Sequence, residues 1–479
     1  MIRSITRLLT LTLLTLCVTS CTATRQTANP RTMTFPPLAF EVPKSQRLQL
    51  SNGMTVYIQE DHELPLVSIT AYVNTGSIYE PAEKAGLAAL TGTVMRSGGT
   101  QEIPPEKLDA ELEFMASSIE AGIGTDVGNV SLSTLSRNLD RTLDLFAQVV
   151  TRPAFRTDRF ELARKRSIES IRRQNDDPKG IADREIHKAL YAGHPLGNIP
   201  TMESVRTITR DDLVHFHSRY FRPDRTILAV AGDVKVPDLM RRLESVFSGW
   251  DKASEPLPVI APPSENLKSQ VLLARKEINQ SVIRMGHLGI DKNNPDLYAI
   301  RVMDYILGGG FTSRLTTEIR SNQGLAYNAD SHFDIGRRFV GTFIAETETK
   351  SESTAKAIGL IRSIIAGLTT DQVTDKELDL AKNSIVNAFI FGFAKPDAIV
   401  NQKARLEYYG YPAGYLDNYR DNIARVSKED VLRVARKYLH PDSMLITVVG
   451  KEASFDKPLS TFAPVTEIKL TSPTDETPK

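Results

Sequence analysis

The order of apolar and polar positions occurs twice along the chain with the same spacing. The segment from Thr209 to Gly232 aligns without gaps with the segment from Ser427 to Gly450. Each begins with a residue that can cap a helix, carries acidic residues in the first turn, and continues as a helix that ends in tyrosine. A Pro-Asp turn and an apolar β-type run closed by glycine follow in both. The shared spacing through two kinds of element predicts two structurally related halves.

The remaining pattern places helices and strands in both halves. Long helical patterns occupy residues 157–174 and 375–391. In the first half, a turn at Ser51-Asn52-Gly53 lies within a predicted hairpin. This hairpin spans residues 47–59, and the pattern then predicts a strand at 67–74, a helix at 84–95 and a strand at 127–135. This mixture is typical of an α+β fold with helices covering a sheet. We therefore expect two homologous domains that face each other as a clamshell.

A proline-containing segment separates the two halves. Residues 254–270 include four prolines and have no clear periodicity, so we interpret them as a linker. The predicted organisation is then an N-terminal domain at 46–253, a C-terminal domain at 271–454 and a tail at 455–479.

The first residues have the pattern of an export signal. Arg3 and Arg7 flank the start of an apolar run, 8–18, that is too short to span a bilayer. Val18-Thr19-Ser20-Cys21 resembles a bacterial lipobox, which implies cleavage before Cys21 and acylation of its sulfur. Residues 1–20 would be the signal peptide and 21–45 a lipidated tether. The absence of aspartate after Cys21 favours an outer-membrane anchor facing the periplasm. The alternative is an ordinary signal peptide with an incidental cysteine.

Composition and charge narrow the possible activities. Lys and Arg number 59 against 58 Asp and Glu, and this near-neutral balance gives no reason to expect a nucleic-acid partner. Cys17 and Cys21 are the two cysteines, so the body of the chain has no disulfide, thiolate metal site or cysteine nucleophile. Neither a Gly-x-Ser-x-Gly elbow nor a Gly-x4-Gly-Lys-Ser/Thr phosphate loop occurs.

A series of short motifs runs through both halves. The first half contains Gly76-Ser77-Ile78-Tyr79-Glu80-Pro81, Ala85-Gly86-Leu87-Ala88, Gly98-Gly99-Thr100 and Tyr191-Ala192-Gly193-His194-Pro195-Leu196-Gly197. The second contains Ile306-Leu307-Gly308-Gly309-Gly310, Ser313-Arg314-Leu315, Glu318-Ile319-Arg320 and Gly324-Leu325-Ala326-Tyr327. In order and spacing, over nearly all of the mature chain, these motifs resemble the M16 zinc metallopeptidases of the two-domain bacterial and mitochondrial-processing type. The resemblance implies a pair of α+β domains that handle peptides.

The zinc motif of that family is degenerate in this chain. Active members carry His-x-x-Glu-His directly after Gly-Leu-Ala, where two histidines on one helix face grip zinc and the glutamate activates water. Here Ala89 and Thr93 occupy the histidine positions, and Gly92 occupies the general-base position. Glu169 lies where the family's third ligand is expected, but one carboxylate cannot hold zinc. We therefore expect no cofactor in this chain.

The eight histidines offer no replacement for the lost ligands. No two are four positions apart, and His215 and His217 point to nearly opposite sides of a predicted helix. A glycine-containing turn separates His187 from His194, and by resemblance His194 is a structural residue of that turn. We interpret the histidines as surface or turn residues.

Arg320 and Tyr327 preserve a second feature of the family. In M16 peptidases an Arg and a Tyr at this spacing project into the chamber, where they bind the substrate backbone and help steady the transition state. The resemblance implies the same roles here. A guanidinium and a phenol hydroxyl can both donate hydrogen bonds to a developing oxyanion or to neighbouring carbonyl groups. The alternative is a structural salt bridge for Arg320 and a packed ring for Tyr327.

The sequence therefore predicts the non-zinc-binding subunit of a heterodimeric periplasmic metalloendopeptidase, inactive alone. An M16 partner with an intact His-x-x-Glu-His motif would supply the zinc. A peptide substrate can add as a strand to a sheet edge, and Val127 to Leu135 is a candidate for that edge. The alternative is a catalytically inactive lipoprotein that binds peptides or scaffolds an envelope complex. An autonomous protease is disfavoured because the metal helix has lost every ligand it could supply.

Overall fold

Two six-stranded β-sheets form the framework of this computed structural model, which describes residues 40–264 and 268–470. The predicted signal peptide, Cys21, most of the tether and the end of the tail lie outside the described residues. The first sheet has the order β1–β2–β6–β3–β5–β4, and β2 and β6 are its parallel pair. Its strands are β1 (Gln46–Gln49), β2 (Thr55–Glu60), β3 (Leu66–Val73), β4 (Ser118–Ile123), β5 (Gly128–Leu135) and β6 (Thr226–Gly232).

The second sheet repeats this arrangement except at its outermost strand, β14, which runs parallel to its neighbour, whereas β1 runs antiparallel to β2. Its order is β14–β7–β13–β8–β12–β10; β7 and β13 run parallel, and β13, β8, β12 and β10 are antiparallel neighbours. The strands are β7 (Val271–Arg275), β8 (Gln280–Leu288), β10 (Ala329–Phe333), β12 (Thr342–Lys350), β13 (Leu445–Gly450) and β14 (Val465–Glu467). A short parallel pair, β9 (Ile290–Asp291) and β11 (Ile335–Gly336), lies apart from both sheets. The matching strand orders confirm the predicted α+β fold with two homologous halves.

Helices cover both sheets. Those of the first half are α1 (Leu87–Ser97), α2 (Pro105–Phe114), α3 (Leu139–Thr151), α4 (Thr157–Arg173), α5 (Pro178–Leu190), α6 (Met202–Thr207), α7 (Arg210–Tyr220) and α8 (Val236–Phe247). Those of the second half are α9 (Leu297–Asp304), α10 (Thr354–Thr370), α11 (Asp375–Phe391), α12 (Pro396–Tyr408), α13 (Tyr415–Arg425) and α14 (Lys428–Tyr438), with π-helical segments at Tyr305–Gly309 and Thr316–Asn322. Within the described ranges, none of these helices combines the length and apolar character needed to cross a membrane.

The repeated sequence segments fold alike down to their helix caps. The Thr209 hydroxyl accepts a hydrogen bond from the Asp212 amide at 3.3 Å, and the Asp212 carboxylate accepts one from the Thr209 amide at 2.8 Å. Ser427 and Asp430 form the same reciprocal pair, both bonds at 3.1 Å. These capping boxes satisfy amide groups that the helix itself leaves free, and they start α7 and α14. Each helix then leads into the central parallel strand of its sheet, as the sequence predicts.

Each half covers the sheet of the other half with one helix. Helix α5 of the first half packs on the second sheet, and α12 of the second half packs on the first sheet. Both helices begin with proline and follow the long helix of their own half, so they occupy the same place in the repeat. The apolar residues that they bury are Ile181, Ala182, Ile186 and Leu190 of α5, and Val400 and Ala404 of α12. Without this exchange one apolar face of each sheet would meet water.

Polar groups fix the same contact between the halves. The Tyr408 hydroxyl at the end of α12 donates to the backbone carbonyl of Asp126 at 2.6 Å. On the other side, Arg284 of β8 pairs with Asp183 of α5 at 2.6 Å and with Glu346 of β12 at 2.9 Å. Because Arg284 is buried, its guanidinium depends on these carboxylates in place of water. The described residues from Val42 onward form one compact unit.

One sequence expectation about the first sheet is wrong. The segment proposed as a sheet edge, Val127 to Leu135, contains β5, which lies between β3 and β4 inside the sheet. The free edge belongs to β4, because the β4–β5 hairpin folds outward from β3. Residues assigned to the tail also extend the second sheet, since Val465–Glu467 pairs with β7. The domain boundaries themselves stay a prediction.

We expect Arg284→Met to lower the free energy of unfolding by about 3–5 kcal/mol, because removing one partner leaves carboxylates uncompensated at a buried site. Burial raises the pKa of the Glu346 carboxyl, and Arg284 opposes that effect. Urea unfolding followed by circular dichroism measures the loss. Asp183→Asn is the matched control, with a cost below about 1 kcal/mol because the Asp183 side chain is 58% exposed. Equal stability of wild type and Arg284→Met would contradict the assigned role.

Candidate functional site

Helix α1 is the segment in which the family resemblance locates the zinc motif. It begins at Leu87 because Gly86, with φ of 105°, turns the chain in the left-handed region that glycine adopts readily. The buried carboxylate of Glu80 accepts hydrogen bonds from the amides of Gly86 at 2.9 Å and Ala88 at 2.8 Å. These bonds replace a side-chain cap at the start of the helix. Burial raises the pKa of Glu80, although the two amide bonds favour its charged form.

Ala89 and Thr93 lie together on the exposed face of α1, one turn apart. The Thr93 hydroxyl donates to the Ala89 carbonyl at 2.9 Å. Together with Arg159 and Arg166 of α4, these residues line a cavity of about 280 Å³ between the two helices. Two guanidinium groups beside a methyl group and a hydroxyl make this an unfavourable place for a divalent cation.

Glu169 does not complete a metal site either. Its carboxylate pairs with two arginines of its own helix, Arg173 at 2.8 Å and Arg172 at 3.6 Å. It is absent from the lining of the cavity beside Ala89 and Thr93. In residues 40–264 and 268–470 there is no cluster of three His, Cys, Asp or Glu side chains able to hold a metal ion. The donor set that these residues present does not fit zinc.

Gly92 has a packing role that the sequence does not reveal. It faces the backbone of the edge strand β4, and a Cβ atom at this position would lie 2.5 Å from the amide nitrogen of Ile123 and 2.8 Å from the carbonyl carbon of Gly122. Such distances are far below van der Waals contact, and the obstacle is backbone. The helix thus approaches the strand through the very position that carries the catalytic glutamate in active relatives.

The histidines have structural environments. His194 lies in its predicted turn, where its Nδ1 accepts from the Leu196 amide at 3.1 Å and its Nε2 donates to the Ala261 carbonyl at 2.9 Å. The expectation of surface or turn positions is wrong for His217 and His287, which are buried. Nε2 of His217 donates to the Val150 carbonyl at 2.9 Å, and burial lowers its pKa to about 4. Through these hydrogen bonds, the side chains of His194 and His217 hold neighbouring backbone segments in place.

Arg320 and Tyr327 come together in the second half. The Arg320 guanidinium carbon lies 4.7 Å from the centre of the Tyr327 ring, a cation–π distance. The ring is 83% exposed, so the alternative of a packed tyrosine is excluded by the structure. Arg320 forms no ion pair among the described residues, so the alternative of a structural salt bridge has no partner there. Tyr327 is thus exposed, and Arg320 is half-buried beside it.

Phe311 is a third member of this cluster, which sequence reasoning missed. Its ring is 78% exposed, and its centre lies 5.4 Å from the Arg320 guanidinium carbon. The guanidinium therefore contacts two exposed aromatic rings. The sequence signal for this residue was a phenylalanine directly after Gly308-Gly309-Gly310. Its contact with Arg320 depends on the turn at 310–312, which precedes the segment Thr316–Asn322.

Backbone contacts hold the Tyr327 segment beside the edge of the second sheet. The hydroxyls of Thr349 and Thr347 on β12 donate to the carbonyls of Leu325 and Asn328, both at 2.8 Å. Edge strand β10 starts immediately afterwards at Ala329. The cluster of Phe311, Arg320 and Tyr327 therefore adjoins a strand edge. No described hydrogen bond, ion pair or ring contact joins it to Ala89, Gly92 or Thr93.

Comparison with known families agrees with this combination of fold and motifs. A profile described as Insulinase (Peptidase family M16) matches residues 55–203, and one described as Peptidase M16 inactive domain matches residues 207–385. The chain belongs to the M16 peptidase family. Among curated M16 relatives, the Helicobacter pylori "Non-peptidase homolog YmxG" is 23% identical over 83% of this chain and 92% of its own length.

Solved structures give the same result for the M16 fold. A crystal structure titled as a peptidase M16 inactive domain from Pseudomonas fluorescens is 26% identical, with a TM-score of 0.78 over 87% of this chain and all of that one. The periplasmic protease PqqL from Escherichia coli is 14% identical, with a TM-score of 0.73 over 86% of this chain and 46% of PqqL. The latter likeness is one of fold alone.

We expect Gly92→Glu to destabilise the chain by about 2 kcal/mol or more, because the new side chain forces α1 away from β4. Thermal and urea unfolding measure the effect. Ala89→His with Thr93→His is the matched control; both positions are exposed, so its stability should stay within about 0.5 kcal/mol of wild type. The triple variant that restores His-x-x-Glu-His should unfold as readily as Gly92→Glu. A triple variant of wild-type stability that binds one zinc ion would contradict the packing role of Gly92.

Proposed function

We propose that this M16 family chain is the non-zinc-binding subunit of a heterodimeric metalloendopeptidase that processes or degrades peptides in the bacterial cell envelope. The observation that carries the proposal is the contact between Arg320 and the exposed Tyr327. Among the described residues Arg320 has no carboxylate partner, and the helix at the zinc-motif position presents no zinc ligands. A partner M16 subunit with an intact His-x-x-Glu-His motif supplies the zinc and the general base.

The chemistry of the pair suits contact with a peptide. Arg320 keeps its planar N–H groups available for carbonyl oxygens while its face rests on Tyr327, which limits the loss of side-chain freedom on binding. The Tyr327 hydroxyl is a second donor at the same place. Two such donors can hold the substrate backbone and an oxyanion that forms during peptide hydrolysis.

Exposed sheet edges can align an extended peptide. Strand β10 adjoins the Arg320 cluster, and β4 is the free edge beside α1. An extended peptide that adds to either edge gains main-chain hydrogen bonds, while side-chain pockets select its sequence. We therefore expect the substrate to form main-chain hydrogen bonds with the edge strand first. Arg320 and Tyr327 then contact the bound segment.

The envelope location rests on the lipobox resemblance at Cys21, which would anchor the chain to the outer membrane facing the periplasm. A related fold occurs in a protein whose title calls it a periplasmic protease. The alternative function is a catalytically inactive lipoprotein that binds peptides or scaffolds a complex, and the experiments below separate the two.

Arg320→Ala and Tyr327→Phe should each lower turnover by the assembled heterodimer by roughly a hundredfold to a thousandfold, the usual effect of losing one oxyanion donor. The assay uses saturating partner and peptide, with melting curves on the same samples. Arg241→Ala, at a position where the side chain is 79% exposed on α8, controls for loss of a surface charge. The purified chain alone should cleave no peptide. Normal turnover of both variants in an intact complex would favour the scaffolding alternative.

Cys21→Ala should release the chain from the membrane fraction, because the acyl chains that anchor it would be attached to this sulfur. Fractionation of cells grown with a labelled fatty acid measures both lipid incorporation and membrane association. Cys17→Ala is the control, since Cys17 lies within the predicted signal peptide. Unchanged membrane association of Cys21→Ala, with no label in wild type, would refute the anchor.

A further inference from the structure

A large cavity in the first half has no part in the proposed peptidase function. It measures about 1090 Å³ and opens between the loop that joins α3 to α4, helix α7, and the residues that follow α8. Four arginines line it, Arg152, Arg156, Arg210 and Arg222, against two aspartates, Asp158 and Asp251. Arginines thus outnumber carboxylates along this wall, in a chain whose formal net charge is only +1.

Two of the four guanidinium groups pair with carboxylates outside the lining: Arg152 with Glu102, and Arg210 with Asp211 at 3.4 Å. Arg210 donates to the backbone carbonyls of Phe155 at 2.7 Å and Ala154 at 3.2 Å. Among the described residues, the Arg222 side chain has one hydrogen bond, to the backbone carbonyl of Asp251 at 3.5 Å. A carbonyl group satisfies an N–H donor but leaves the positive charge of Arg222 uncompensated.

Arg156 is the most unusual of the four. Its Nε atom is buried and has no hydrogen-bond partner in the described structure. No ion pair of its guanidinium occurs among these residues. A buried guanidinium donor without an acceptor costs free energy unless a ligand supplies one. This arginine also sits at the start of α4, whose first amides lack a side-chain cap and so add to the positive potential.

The backbone next to Arg156 is strained. Phe155 has φ of 47°, in the left-handed region that non-glycine residues rarely adopt, and Arg210 holds its carbonyl in that conformation. Strain of this kind persists where the surroundings enforce it and is common at ligand-binding sites. The left-handed conformation of Phe155 turns the chain so that the next residue, Arg156, forms part of the cavity wall.

We propose that this cavity binds a phosphate group carried by a small organic molecule. Two guanidinium groups from separate elements, those of Arg156 and Arg222, have no carboxylate partner among the described residues. A doubly charged phosphate can balance the charge of both groups, whereas one carboxylate balances the charge of one. Apolar wall residues, among them Val214, Phe221 and Trp250, provide a surface for the organic part. A soluble molecule and a lipid headgroup are the two sources of such a phosphate, and the titration below distinguishes them.

Trp250 provides a built-in reporter, because it lines the cavity and is the only tryptophan in the sequence. Titration of the purified full-length chain with phenyl phosphate should give a saturable change in tryptophan fluorescence, with matching heat in calorimetry. Arg156→Gln and Arg222→Gln should each weaken binding by about tenfold or more, the effect of losing a charge-assisted hydrogen bond. Benzoate, which carries one charge, should bind at least about tenfold more weakly than phenyl phosphate.

Arg173→Gln is the charge-matched control, since Arg173 lies at the far end of α4 and its side chain is 73% exposed. Its affinity should equal that of wild type, and melting curves establish that all variants are folded. Dibutyryl phosphatidic acid tests the headgroup source; tighter binding than phenyl phosphate assigns a lipid, and weaker binding assigns a soluble molecule. Absence of saturable binding by wild type in either assay, or equal affinities of Arg156→Gln, Arg222→Gln and Arg173→Gln, would overturn the proposal.

Discussion

The exchange of one helix between the two halves is the contact on which the rest of the structure depends. Each sheet has a second apolar face that its own half leaves uncovered, and α5 and α12 cover these faces reciprocally. Hydrophobic burial supplies the driving force, while Arg284 and Tyr408 fix the register through buried polar contacts. The two halves therefore hold the metal-motif helix and the Arg320 cluster on one compact unit. Neither half has a complete core without the other.

Loss of the zinc ligands accompanies a different use of the same helix. Glu80 still holds the start of α1, but Gly92 brings the helix against the backbone of β4. The second half uses the same device, since a Cβ at Gly308 would lie 2.0 Å from the amide nitrogen of Ser331 on the edge strand β10. In both halves a glycine allows the first helix to meet the edge strand closely. Gly92 therefore has a packing role, and it stands at the position where the family resemblance expects the general base.

Positive charge is arranged locally although it is balanced over the whole chain. Arg320 contacts two exposed rings, two arginines line the cavity beside Ala89 and Thr93, and four line the large cavity of the first half. Elsewhere many charged side chains form surface ion pairs, such as Arg141 with Glu111 and Arg173 with Glu169. An overall balance near zero argues against a nucleic-acid partner, but it is compatible with sites for carbonyl oxygens or small anions. Local geometry decides which of these arginines can meet a ligand.

Local signals in the sequence determined much of the fold. Thr209 with Asp212, and Ser427 with Asp430, place two helix starts through contacts within four residues, and the repeat between them indicates two related halves. The family resemblance in the sequence predicts a degenerate zinc motif at Ala89, Gly92 and Thr93 and a pair of Arg320 and Tyr327, and the two members of that pair are in contact in the structure. Only the tertiary structure decided that β4 is the edge strand, that α5 and α12 exchange sheets, and that Phe311 and Arg320 meet. These facts depend on which elements become neighbours, and periodicity shows that a face is apolar without specifying what will cover it.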